Sequence, residues 1–534
     1  MSNESGSLYC ILPARPAASI PCCEEIGSKA FGLARLARIG LSVPPAFVLG
    51  TAMCRDYFAR GGKLPQYARD LLVEGLSALA EATGRRFGDP RRPLLVSVRS
   101  GAPVSMPGMM ETILNIGLNE TTSKGLLRLT GNPRQVRDCY RRLIRDYTEV
   151  VGGVDILPFD QLVDRHVIGA GLADASDLDS QALGQIVQES LDTAIALTGQ
   201  PFPQDPLDQL VGAVEAVFRS WISSKACAYR RLNNIDDGLG TAVTVQAMVF
   251  GNAGGNSGAG VGFTRDPATG ETRPYLDFLF NAQGEDVVAG RRAVRDTDEL
   301  PRRLPAVAAE LTRITRLLES EFRDMQDFEF TVENGRLYLL QTRDGKRAPW
   351  AALRIVVDLV REGLIDRKEG LARIASLPLE RIERVRIAAG VGTLPLAKAT
   401  PASLGVALGA IAFDATAAQR LAAEGRPAIL VRENISTADI DGIAAASGVL
   451  TATGGRTSHA AVVARQLGKV CLVGCSALRI DLKTKSCVIG EKRLNEGDKL
   501  TLDGEAGRVF AGALAVIRET PAQELAEIAK WRAA

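Results

Sequence analysis

Apolar positions recur along the chain at two spacings, and each change of spacing marks the edge of an element. Residues 27–36 predict a helix that stops at Gly40, after which Pro44 and Pro45 lead into a strand over 46–49. A continuous apolar run predicts a buried strand at 94–98, ending in Arg99, Ser100 and Gly101. Residues 121–235 read mainly as helices, with a polar, proline-rich break over 199–206. Residues 241–250 alternate as a strand, and 251–262 read as a glycine-rich loop. Residues 327–332 and 336–343 predict a hairpin about Asn334 and Gly335. Arg, Leu and Ala at helical spacing over 348–383 predict a helical linker. Strands follow at 429–432 and 448–451, and a turn at 495–498. Ala460, Val463, Ala464 and Leu467 fall at helical spacing, which predicts a helix starting near His459 and burying that face. Thr457 or Ser458 is placed to cap it, Gly468 to stop it, and 470–473 reads as a buried strand. After Pro521 comes a short amphipathic helix, and no internal repeat or low-complexity tract appears.

This mixture predicts an α/β and α+β multidomain protein, with a small α/β domain where strands and helices alternate near the histidine. The length of 534 residues is enough for roughly three or four domains at ~150 residues each. Lys and Arg number 64 against 62 Asp and Glu, so no charge excess points to nucleic acid or a membrane surface. No apolar run approaches a membrane span, and Met1 to Gly6 lack the basic flank and apolar core of a secretory signal. The nine cysteines are scattered, as expected of reduced thiols in cytoplasm. His166 and His459 are the only histidines, so a zinc site is not expected; His166 reads as structural or surface.

His459 has a more pointed setting. Gly454 and Gly455 let the backbone turn tightly before the capping hydroxyls, so the histidine falls on the first helical turn. The partial positive charge there disfavours imidazolium and keeps the ring nucleophilic. The same field stabilises a phosphoryl group once attached. A lone histidine is more often a hydrogen-bonded structural one. Here the glycine turn, the cap and the helical position favour a phosphorylatable histidine.

Other candidates are basic or acidic. Lys29 sits near a helix N-terminus but without the glycine spacing of a P-loop. Arg99, at a strand's edge beside a flexible loop, suits a bidentate phosphate clamp. Glycine-rich segments such as 251–262 can turn backbone N–H groups toward phosphate, although a plain connection looks the same. In the hairpin, Asp327 and Glu329 are two apart and share a face, as do Gln341 and Arg343 on the partner strand. A three-residue loop with Gly335 as the bulge makes all four converge, with carboxylates for magnesium and Arg and Gln for phosphate. A two-residue loop separates them.

The run from Thr453 through His459 to Gly468 resembles the phosphohistidine motif of the phosphoenolpyruvate-utilising enzymes, specifically the pyruvate phosphate dikinase family. The segments around Lys29 and Arg99, the loop 105–112, the run 251–286 and the hairpin 327–343 resemble the family's nucleotide domain. Arg456 stands where the dikinase usually has methionine and is closer to the phosphoenolpyruvate synthase version. The resemblance implies an ATP-grasp-like nucleotide-binding domain over 1–346, with a helical insert at about 121–235. It further implies a helical linker over 347–394, a swivelling phosphohistidine domain over 395–514 and a C-terminal helix over 515–534. It implies ATP at Lys29, Arg99, Asp327, Glu329, Gln341 and Arg343, magnesium at Asp327 and Glu329, and His459, Arg99 and Arg343 as catalytic. It implies a pyrophosphoryl-histidine cleaved by orthophosphate, giving AMP and pyrophosphate; in the synthase relative water does this. Thr457 matches a site that is reversibly phosphorylated in some relatives. The family dikinase continues into a barrel for pyruvate or phosphoenolpyruvate, of ~250 residues. Only a short helix follows Pro521 here, so the acceptor half is expected on a separate subunit. A dikinase for a different small molecule, or a non-catalytic regulatory phosphocarrier, are the alternatives.

Overall fold

The computed structural model describes residues 8–15, 17, 19–104, 106, 110–172, 174–288, 299–388, 393–403, 405–435, 439–454 and 459–533. The chain divides into two compact units, Met1–Gly254 with Tyr338–Thr342, and Gly255–Leu337 with Arg343–Ala534. The division falls inside the expected 1–346 domain because residues after 254 build a sheet and core of their own.

In the first unit a five-stranded sheet runs in the order Leu8–Ile11, Ala46–Leu49, Ala242–Ala247, Val96–Gly101, Thr112–Ile116, antiparallel throughout. All six residues of Ala242–Ala247 are buried. The alternation read there from sequence gives way to burial on both faces, because helices cover the sheet. The insert is helical from Glu120 to Leu232, with its break at Gly199, whose φ is 70°. The helix Pro133–Val150 packs on Thr112–Ile116 and presents Val136, Cys139, Tyr140, Leu143 and Ile144 to the main core.

The second unit opens with the antiparallel strands Gly258–Phe263, Tyr275–Phe280 and Gln326–Glu333, joined at the edge by Arg336–Asp344. Half of the expected glycine loop is therefore strand. Gly258, Gly260 and Gly262 alternate, so they lie on one face, where aromatic rings cover them. A Cβ on Gly260 would stand 2.3 Å from Phe330 Cζ, and one on Gly258 2.2 Å from Phe278 Cζ. These glycines make room for rings, not for phosphate.

The linker forms helices Pro349–Arg361 and Arg367–Arg373, and the C-terminal helix Ala522–Ala533 joins their core through Ile528 and Trp531. Two further strands, Arg384–Ile387 and Val516–Glu519, pair antiparallel. Both chain crossings into the histidine domain thus run side by side. That domain holds an eight-stranded sheet whose centre, Val406–Ala412, Ala428–Arg432, Gly448–Thr451 and Val470–Val473, is parallel. Helices Ala415–Ala423, Ile440–Ala445 and His459–Gln466 pack on it, as the small α/β domain expected from sequence.

Candidate functional site

In the first unit the helix Cys23–Arg38 is broken at Gly27, where φ is 76° and ψ 157°. A Cβ there would lie 1.9 Å from the Gly101 carbonyl oxygen, so only glycine lets this helix meet the end of Val96–Gly101. Past the kink, Ser28 donates through its N–H and its Oγ to the carbonyl of Ala102, at 3.0 and 2.9 Å. Lys29 follows at once, its Cβ 3.8 Å from the position a Gly101 Cβ would take. On the same strand Arg99 is half-buried, and its Nη1 lies 3.5 Å from the Leu340 carbonyl oxygen. Leu340 precedes Gln341, which is buried, and Thr342 faces Gly32 of the Lys29 helix. The fold therefore brings Lys29, Arg99 and Gln341 to one end of this unit's sheet.

Met106 is buried in this unit's core, where it fills space between apolar neighbours. Ser105, Pro107, Gly108 and Met109 lie outside the described residues, as do Arg456, Thr457 and Ser458. His166 pairs with Glu189 at 2.9 Å on the helical insert, which fits its structural reading.

In the second unit the hairpin turn is the two-residue form, with Asn334 and Gly335 both at positive φ, 51° and 79°. This is the register that sets Gln341 on the ribbon face opposite the carboxylates, so the four-residue convergence does not form. Arg343 reaches Asp327 nonetheless, its Nε donating to Oδ2 at 2.7 Å. Strand order near the ribbon's end yields to the length of the guanidinium arm. Burial pushes the Asp327 carboxyl above its ordinary value and Glu329 adds to this, while Arg343 and, more weakly, Arg465 oppose it. Burial works against the Arg343 charge, but Asp327 and Glu329 outweigh it and raise its guanidinium.

A third carboxylate projects to the same face two strands away. Asp277, 1% exposed, pairs with Val261, which pairs with Glu329, so both acids project to one face. Sequence reasoning passed over it. The available signal was a lone acid within the otherwise apolar Tyr275–Phe280 strand.

His459 is the first residue of the helix His459–Gln466, with Gly468 at φ 64° beyond its end. The buried stripe of this helix follows the expected one in part, with Ala464 buried and Val463 packed against the core. Ala461, Ala464 and Arg465 are buried, while Leu467 is 44% exposed. The helix is rotated so that small alanines meet the sheet closely and the longer leucine is turned out.

Residues 64–301 match the family described as "Pyruvate phosphate dikinase, AMP/ATP-binding domain", and 425–507 match "PEP-utilising enzyme, mobile domain". The second match contains His459. The chain is 41% identical over 520 residues to the pyruvate, phosphate dikinase of Rhizobium meliloti (strain 1021), covering 95% of this chain and 58% of that protein. Identity to the pyruvate, phosphate dikinase of Clostridium symbiosum is 42% over 511 residues, with the same two coverages, 95% and 58%. The Giardia intestinalis pyruvate, phosphate dikinase is 42% identical over 522 residues, 97% of this chain and 59% of that protein. The chain thus spans a little under three-fifths of the length of the curated relatives it matches. It carries a segment that matches the pyruvate phosphate dikinase AMP/ATP-binding domain and a segment that matches the mobile domain of PEP-utilising enzymes.

Proposed function

We propose that the chain performs the ATP-side half-reaction of a pyruvate phosphate dikinase. His459 attacks the β-phosphorus of ATP, the bond from that phosphorus to the α-phosphate oxygen breaks, and AMP leaves. Orthophosphate then attacks the terminal phosphorus of the pyrophosphoryl-histidine, releasing pyrophosphate and leaving phosphohistidine. The phosphoryl group passes to pyruvate or another acceptor, bound on a further segment or a separate subunit. Lys29, Arg99, Gln341 and Arg343 bind the phosphates, and the guanidinium groups of Arg99 and Arg343 answer the charge that grows on the leaving group. Asp327 and Glu329 would hold magnesium, which supplies further charge neutralisation at the phosphate oxygens. The paired crossings into the histidine domain suit a rigid-body swing between donor and acceptor sites.

The observation that carries this reading is the position of His459, first on its helix and within the segment matched by the mobile domain. The test is self-labelling with ATP radiolabelled at the β-phosphate, with magnesium, with and without orthophosphate, alongside His459→Ala. Acid-labile β label absent from the variant is expected, and it should stay on the protein when orthophosphate is added, whereas ATP labelled at the γ-phosphate should then give labelled pyrophosphate. Release of the γ label as orthophosphate without added orthophosphate would mean that water is the second nucleophile, as in the synthase. No label in any condition would leave a non-catalytic phosphocarrier.

A further inference from the structure

The histidine helix buries a cation that its apolar pattern did not mark. Arg465 is 1% exposed, and its Nε and Nη2 both donate to the Ala402 carbonyl oxygen, at 3.1 and 2.8 Å. Its guanidinium carbon lies 5.5 Å from the ring centroid of Phe263. Phe263 is directly opposite Asp327 on one neighbouring strand and Tyr275 on the other. Directly opposed residues of antiparallel strands project to one face. Asp327, Phe263 and Tyr275 therefore form a row across three strands. This row meets the histidine domain twice. Phe263 lies beneath Arg465, and the Tyr275 hydroxyl donates to the Pro401 carbonyl at 3.0 Å.

Two other arginines are as deeply buried, and they serve architecture: Arg230 pairs with Asp237 at 2.6 Å and Arg265 with Glu319 at 2.8 Å. Arg465 holds a backbone carbonyl and lies over a ring, and its charge acts on Asp327. A planar cation over an aromatic face is attractive and readily separable, unlike an interdigitated apolar core. The seam around the row is also unfilled. A cavity of about 390 Å³ opens there, lined from both sides by Asp266, Tyr275, Ser403 and Glu505 among others.

We infer that Arg465 is a positioning residue, which seats the histidine helix on the Asp327–Phe263–Tyr275 row during phosphorylation and is released when the domain leaves. Its rate consequence rests on the phosphotransfer reading above; the seating itself does not. The test compares Arg465→Met, which keeps the stem and removes the planar cation, with Phe263→Leu and the double variant in the full chain. Small-angle scattering reads the radius of gyration, self-labelling reads the phosphorylation rate, and equilibrium dialysis reads ATP affinity. Arg465→Met should enlarge the radius of gyration and slow labelling about tenfold or more, with ATP affinity within about twofold. Phe263→Leu should do the same more weakly, and the double variant should be no slower than Arg465→Met alone. Should Arg465→Met misfold, Arg465→Lys keeps the charge without the fork and should fall between wild type and these values. Wild-type scattering and labelling in Arg465→Met would overturn the inference. So would an equal loss of ATP affinity, which would make Arg465 part of the architecture of the nucleotide site. If the wild-type chain takes no label, the phosphotransfer reading falls, and scattering still decides the seating.

Discussion

A carboxylate that is 9% exposed keeps its charge only if a cation close by answers it, and at Asp327 that cation is Arg343. Removing the guanidinium leaves the acid buried and unanswered. Arg343→Met should therefore cost about 2 kcal/mol of stability near neutral pH, at the lower end for a broken pair because Arg343 itself is 40% exposed. The sign of the pH dependence follows from the direction of the shift. A carboxyl raised in the folded state holds its proton to higher pH than in the unfolded chain, where it titrates near ~3.9. The penalty thus appears above that pH, grows through the folded value, and vanishes once the group is protonated in both states. Denaturant midpoints of variant and wild type should differ at pH 7 and converge toward pH 4; a pH-independent gap would refute this account. Labelling by ATP should fall by about a hundredfold. At this scale the residue types were legible from spacing: two acids at i and i+2, a hairpin, and a histidine after a glycine turn. The turn type was not, because Asn-Gly fits both a two-residue loop and a bulged one, and only the strands around it decide. Arg465 was not legible either, since an arginine in an apolar stripe reads as its solvent edge.

At the scale of elements, periodicity recovered the helical insert, the linker helices and the parallel strands of the histidine domain, since these are long or fully buried segments. It failed in the run 251–262, where glycine content outweighed alternation. Gly258–Phe263 is the central partner of two strands, and its glycines accept Phe278 and Phe330 against the backbone. No composition rule separates a glycine that admits phosphate from one that admits a ring; what lies opposite decides. The consequence is testable at Gly260. Gly260→Ala puts a methyl 2.3 Å from Phe330 Cζ and 2.9 Å from the Asp277 carbonyl oxygen, so ring and strand must both shift. Overpacking of this kind costs roughly 1–3 kcal/mol. Calorimetry should show the loss, and amide exchange in Gln326–Glu333 should quicken, while exchange in Val96–Gly101 stays as in wild type. Unaltered melting with loss of ATP binding would instead restore a phosphate role for this glycine.

For the whole molecule, the proposed reaction asks one histidine to serve two sites. The crossings Arg384–Ile387 and Val516–Glu519 form a two-stranded ribbon, and an isolated ribbon is only marginally stable in water. Here it is tied down by charge. Arg384 lies 2.9 Å from Glu519 and 3.6 Å from Glu505, and Arg386 lies 3.0 Å from Glu505 and 3.4 Å from Glu519. Arg384 also stacks over Trp350 of the linker helix at 4.8 Å. Glu519 belongs to the ribbon, while Glu505 sits on the turn between Lys499–Asp503 and Arg508–Ala511 of the histidine domain. The first acid holds the two strands together; the second holds the ribbon to the histidine domain. Each pair is partly exposed and contributes only ~0.2–1 kcal/mol, which suits a tether that must yield. Glu505→Gln should leave the melting temperature within a degree or two and quicken amide exchange in both ribbon strands by about two- to fivefold, a change that 1 M salt should reproduce in wild type. Exchange unchanged by both the substitution and the salt would mean that backbone pairing alone holds the ribbon, and that the swing is set by the contacts at the row and not by the hinge.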